Sequence, residues 1–249
     1  MAADSRDFRV PVLHPDHVHV WRGTIGSGQM PDPDLTVLSQ GEHDRLKSIS
    51  NPDARALYAA SHVALRHVLA AYHGRPSASL RFKSAEGGKP YLVGGHGLSF
   101  NLSHSGQMLL IAVTRSGEVG VDIERTRYSR RSEAVARRFF APEEYAGLAQ
   151  CPVSLKSQHF AQIWALKEAY IKATGRGLAL PLRSFALRYA GEKAELIRTE
   201  TGNLDDWTLA AWTPVSGYRA AVAVQRRGAQ IHQFDLSEAN ILCSAGSLS

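Results

Sequence analysis

Residues Val119–Glu124 read VGVDIE, and the placing of apolar and acidic side chains there decides how the chain is built. Side chains on a strand alternate between faces, so Asp122 and Glu124 project to one side and Val121 and Ile123 to the other. The two aliphatic residues need a core behind them. The two carboxylates repel each other unless a cation or a proton lies between them. A solvated strand face has the same D-x-E pattern, so the pair needs company before it counts as a site.

That company lies in WALKEAYIK, Trp164–Lys172. Glu168 and Lys172 are four residues apart, neighbours on one helix face. An exposed ion pair would show the same spacing. Trp164 one turn earlier, with Ala165, Ala169 and Ile171, marks the face as partly buried, where charges need a reason. Asp122, Glu124 and Glu168, with no cysteine and no HxxxH spacing nearby, form an all-oxygen set. Such a set suits Mg²⁺ or Mn²⁺ rather than zinc, and Mg²⁺ binds most often together with phosphate and water. Lys172 beside it suits a phosphate oxygen.

A third stretch, NLSHS (Asn101–Ser105), sets a histidine between serines in a strand-like run where Leu98, Phe100 and Leu102 alternate with Ser99, Asn101 and Ser103. Ser103 and His104 are consecutive, so their side chains diverge and do not make a nucleophile–base pair. The chain has no G-x-x-x-x-G-K-[ST] phosphate loop, no G-x-S-x-G elbow, and no dinucleotide fingerprint in GGHGLS.

Around these motifs the chain reads as two groups of helices and strands. A strand is expected at His17–Arg22, then a Gly/Pro-rich loop and a helix over Asp34–Ser48. Asn51-Pro52 is an N-cap followed by proline at the first helical position, so a long amphipathic helix runs from Asp53 to His73 and stops at Gly74. Short β-rich runs follow at SLRFKS, GLSFNLSHS, MLLIAVTRS and EVGVDIE. Helical patterns then cover Arg131–Phe140, Pro142–Gln150 and about Ser157–Thr174. SFALRYA, AELIRT, WTLAAWT and YRAAVAVQR return to strands, and the chain from about Gly228 reads as a loosely packed tail. The expected class is α+β, two similar halves at 1–124 and 125–249, with no sequence repeat between them.

Composition narrows the setting. Of 249 residues, 44% are hydrophobic and 21% charged, ordinary for a soluble globular protein. No apolar run approaches the roughly 20 residues needed to cross a bilayer, and the N-terminus has no signal-peptide core. Cys151 and Cys243 are far apart and match no metal-ligand spacing. A reducing compartment, the cytoplasm, is expected, with no membrane partner. The net charge of +6 suits a phosphate-rich small molecule or an acidic protein. The basic residues are dispersed and no zinc-finger or RNP-like pattern occurs, so nucleic acid is not the expected partner.

Five ordered blocks together resemble the 4′-phosphopantetheinyl transferases, of the larger monomeric surfactin-synthetase-activator type. They are GGKPYL (Gly87–Leu92), FNLSHS (Phe100–Ser105), VGVDIE, RFFAPEEY (Arg138–Tyr145) and WALKEAYIKATGRGLALPL (Trp164–Leu182), within roughly residues 53–187. The resemblance implies a single-chain pseudo-two-fold α+β fold with coenzyme A and Mg²⁺ in the cleft between halves. It implies transfer of the phosphopantetheine arm to a serine of an acyl or peptidyl carrier protein, releasing adenosine 3′,5′-bisphosphate. Position by position, Asp122, Glu124 and Glu168 would hold the metal and Lys172 the pyrophosphate. Lys89 and Pro90 would lie at the nucleotide's phosphate end, and Ser103 and His104 would grip coenzyme A phosphates. His104 also fits a satisfied structural histidine. Glu168, or a water on the metal, would take the serine proton. Glu144 is a further candidate for the metal region, or a helix N-terminal carboxylate after Pro142.

The chain departs from the family where lysines bind the 3′-phosphate, having Gln40 and His43 there. The grip is expected to move to Arg45, Lys47 or Arg55, although Arg55 also fits an ordinary solvated helix. Carrier proteins present an acidic helix, which the cluster Arg130, Arg131, Arg137 and Arg138 could dock. A non-catalytic coenzyme-A- or carrier-binding module would be expected to have lost a carboxylate or Lys172, and none is lost. A Mg²⁺-dependent phosphodiesterase would use the same carboxylates without a docking surface.

Overall fold

The computed structural model describes residues 10–25, 33–200 and 202–237. Strand β1 (His17–Thr24) precedes helices α1 (Gln40–Ser48) and α2 (Pro52–His73). Five strands follow: β2 (Phe82–Ser84), β3 (Pro90–Leu92), β4 (Ser99–Ser105), β5 (Met108–Thr114) and β6 (Val119–Arg125). Helices α3 (Arg130–Phe139), α4 (Pro142–Gln150) and α5 (Lys156–Thr174) come next. The chain then forms β7 (Ala186–Ala190), β8 (Lys193–Arg198), β9 (Thr208–Trp212), β10 (Tyr218–Val224) and β11 (Gln230–Asp235).

Local chemistry sets the helix ends. Asn51 Oδ1 accepts the Ala54 N–H at 2.9 Å and Pro52 opens α2, which stops at Gly74 in the left-handed conformation. The helix expected over Asp34–Ser48 is two pieces. Asp34 caps a single 3₁₀ turn, Leu38 is extended, and Ser39 starts α1 afresh with a capping box to Glu42.

The strands form two main sheets, in the orders β11-β1-β5-β4 and β6-β10-β9-β8-β7, with β2 and β3 as a separate hairpin. Helix α2 packs on the first sheet through Ala64, Val68 and Leu69, which meet Phe100, Leu109 and Ile111. Helix α5 packs on the second through Ala165, Ala169 and Ala173 against Ala221 and Ala223. Between the sheets, Val18, Val20 and Leu110 meet Val119, Val121 and Ile123. The layers run α2, first sheet, second sheet, α5, so the class is α+β, and Val121 and Ile123 enter a core as their alternation demands.

Three expectations change. Residues 228–237 are not a loose tail, because β11 pairs parallel with β1 from His17↔Gln230 to Arg22↔Asp235 and Leu236 is buried. The sheets do not divide at residue 124: β6 belongs to the second sheet and β11 returns to the first. On β4, where the alternation has the period of a half-buried strand, Asn101 and Ser103 are buried as well, because their face lies against β6. Cys243 and most of the Gly/Pro-rich loop lie outside the described residues.

Candidate active site

The site begins with a glycine. At Gly120 a Cβ would lie 2.0 Å from the Ala169 carbonyl oxygen and 2.4 Å from the Ala173 nitrogen. Only a residue without a side chain lets β6 rest directly on α5. That contact brings Asp122 to Lys172, whose Nζ donates to Asp122 Oδ1 at 2.6 Å, Ser103 Oγ at 3.1 Å and the Val121 carbonyl at 3.3 Å. Ser103 Oγ donates to the same Asp122 oxygen at 2.8 Å. One residue pair along, the Val121 N–H donates to Asn101 Oδ1 at 3.0 Å, fixing the edge of β4 beside β6.

Three acids gather here with one lysine. Burial raises the pKa of Asp122, against the pull of Lys172 and the Ser103 hydroxyl. Burial and then the charge of Asp122 raise Glu124 to about 7, although Lys172 and a bond from the Trp164 indole oppose them. Glu168 is raised by burial first and by Asp122 next. Asp122 Oδ2 is buried without a hydrogen-bond partner. Hard oxygen donors, an orphaned carboxylate oxygen and negative charge in excess fit a divalent cation. Among the described residues no three acid or imidazole side chains converge into a ready cage, and Lys172 holds the other Asp122 oxygen.

Two cavities meet at this point. The larger, of about 1060 Å³, runs from Asp122, Glu124 and Lys172 past Ser103 and His104 to α2 and β2. The smaller, of about 560 Å³, is walled by Phe139, Ile171 and Leu180–Leu182 and edged by Glu168. Lys172, Asn101 and Pro90 border both. His104 is exposed in the larger cavity, and partial desolvation, then Lys172 and His62, lower its pKa.

The model of the 4′-phosphopantetheinyl transferase superfamily matches residues 118–223, which include β6 and α5. The 4′-phosphopantetheinyl transferase HetI of Nostoc sp. is 34% identical over 219 residues, 86% of this chain and 90% of that protein. The chain belongs to the 4′-phosphopantetheinyl transferase superfamily. The transferase Sfp of Bacillus subtilis strain 168 is 32% identical over 163 residues, 61% of this chain and 71% of that one. This transferase is therefore an enzyme of the surfactin-synthetase-activator type. A holo-(acyl-carrier-protein) synthase from Bacillus anthracis, in complex with CoA (3′,5′-ADP), is a more distant match. It is 22% identical with a TM-score of 0.37, over 44% of this chain and 96% of that one.

Not every expected residue of the transferase reaches the cavities with its functional group free. Lys89 Nζ donates to Glu118 at 2.6 Å, to the Val119 carbonyl at 2.9 Å and to the Ala173 carbonyl at 3.4 Å. Its ammonium ties the GGKP turn to β6 and α5; Lys89 lines the smaller cavity, and Pro90 lines both. The turn sits so close that a Cβ on Gly87 would lie 1.6 Å from the Gly175 carbonyl oxygen. Arg45 and Lys47 are exposed on α1 and do not line the cavity, and Arg55 donates to the Ile49 carbonyl at 2.9 and 2.8 Å. The structure does not bring these three to the site. Glu144 is a helix N-terminal carboxylate, taking the Ala141 and Leu187 N–H groups and the buried Lys167 ammonium, each at 2.8 Å. It stands apart from the acid cluster. Asn101, Gly120 and Lys167 were not expected in these roles, and only the position of Asn101 on the Ser103 face hinted at one.

Proposed function

We propose that the transferase moves the 4′-phosphopantetheine of coenzyme A onto a serine hydroxyl of an apo acyl or peptidyl carrier protein, releasing adenosine 3′,5′-bisphosphate. It would work as a monomer in the cytoplasm. No helix among the described residues is long and apolar enough to cross a membrane. The observation that carries the reading is Lys172, paired with Asp122, on the wall shared by two cavities.

The larger cavity suits the nucleotide, the smaller and more apolar one the pantetheine arm, and the reacting pyrophosphate then lies at Lys172. Asp122, Glu124 and Glu168 would hold Mg²⁺, or Mn²⁺, which supplies charge neutralisation on the pyrophosphate. Lys172 adds a fixed positive charge, and Ser103 and His104 hydrogen-bond phosphate oxygens. The carrier serine oxygen forms a bond to the phosphorus bearing the pantetheine. The phosphoanhydride bond to adenosine 3′,5′-bisphosphate breaks. Glu168 lies at the edge of the smaller cavity, where it, or a water held by the metal, would accept the serine proton. Arg130, Arg131, Arg137 and Arg138 are exposed on or beside α3. Arg138 stacks over Phe139 at 5.2 Å, and both line the smaller cavity, so an acidic carrier helix docked on α3 would bring its serine to the site.

Incubation with coenzyme A, Mg²⁺ and a panel of apo fatty-acid, polyketide and peptidyl carriers, followed by mass spectrometry, tests this. At least one carrier should gain a single phosphopantetheine, and a chelator should stop the gain. Unmodified carriers throughout the panel would overturn the proposal.

A further inference from the structure

Lys167 is fully buried, one residue before Glu168 on α5. Its Nζ donates to the Leu182 carbonyl at 2.8 Å and the Phe185 carbonyl at 3.0 Å, and lies 2.8 Å from Glu144. It also sits 4.1 Å from the centre of the Phe185 ring. Taking an ammonium and a carboxylate out of water is costly, and apolar residues of similar volume often fill such a space with no loss of stability. An apolar side chain, however, holds no carbonyl. Leu182–Ser184 form a single 3₁₀ turn, and the sheet begins only at Ala186, so this backbone must find its partners elsewhere. The Ser184 hydroxyl donates to the Pro181 carbonyl at 2.7 Å and Arg198 to the Arg183 carbonyl at 3.2 Å. Among the described residues, Lys167 is what ties the turn to α5 by hydrogen bonds.

Leu180, Pro181, Leu182 and Arg183 wall the smaller cavity, and Glu168 edges it. Successive residues on a helix point about 100° apart, so one turn of α5 sends Glu168 to the cavity and Lys167 behind its wall. The wall is thereby held in register with the acid cluster. We infer that Lys167 is a positioning residue: it touches no substrate, and by fixing the 182–185 backbone it sets the smaller cavity to receive the pantetheine arm. This rests on coenzyme A being the substrate, with its arm in that cavity. A wall ordered in advance need not be ordered on binding, so the tether acts on affinity for the arm and not on affinity for the nucleotide.

Calorimetry without carrier compares coenzyme A with 3′-phosphoadenosine 5′-diphosphate, which has the nucleotide and the pyrophosphate but no arm. Lys167→Met keeps the stem and removes the donor. Lys167→Met/Glu144→Gln also removes the buried carboxylate left without its cation, so it decides the matter where the single variant fails to fold. In both variants coenzyme A should bind about tenfold more weakly, while the armless nucleotide stays within about twofold of the wild type. Loss of structure at large would weaken both ligands alike, so equal changes overturn the assignment, as do two unchanged affinities. If the wild type binds coenzyme A but modifies no carrier, the binding comparison still decides. If the wild type binds no coenzyme A, the substrate reading and this inference fall together.

Discussion

Glu168 faces a crowded acid neighbourhood: burial and the nearby Asp122 raise its pKa, and only Lys172 pulls the other way. A charged group held in such surroundings opposes folding while it serves chemistry. Glu168→Gln should therefore lower carrier modification by at least about a hundredfold, while the thermal midpoint stays level or rises, because a neutral amide no longer opposes Asp122. Retained turnover would remove Glu168 from the chemistry. At this scale much was legible. The two-residue and four-residue spacings of Asp122, Glu124, Glu168 and Lys172 are fixed by strand and helix periods. The shared hydrogen bonds of Ser103 and Lys172 to Asp122 were not, because they depend on β4 lying beside β6.

Strand β1 carries His19 into the first core, where the ring is 1% exposed and its Nδ1 lies 2.7 Å from the Tyr72 hydroxyl. Burial first, then His232, His17 and His14, lower its pKa to about 4. The unfolded chain takes up that proton near pH 6.5 and the folded chain only near 4. The stability this neutral imidazole represents is therefore complete above pH 6.5 and is lost as pH falls through that window. Between pH 7 and 5 the wild type should lose about 2 kcal/mol more than His19→Gln, read from denaturant midpoints. Equal losses would show that His19 titrates normally. Most elements themselves were readable, since caps and alternation are local. The break before Ser39 was not, because the recurring Leu35, Leu38 and Leu46 mimic a helical stripe across two elements.

The whole molecule is closed by its last described strand. Leu236 is 1% exposed, and Phe234 stacks on Trp21 with centroids 4.9 Å apart. Leu236→Ala should cost about 2–5 kcal/mol in chemical unfolding, whereas a loosely attached tail would show no change. The sequence by itself determined the α+β class, the two long helices with their caps, and the acids and lysine of the site. Each of these is written in spacings of two to four residues that the backbone periods translate directly. Only the tertiary structure decided that β11 returns to β1, that the Lys89 ammonium is tied to Glu118 and two carbonyls, and that Arg45, Lys47 and Arg55 stand off the larger cavity. Those outcomes depend on which edges and faces meet across the chain, and local periodicity carries no information about a partner some two hundred residues away.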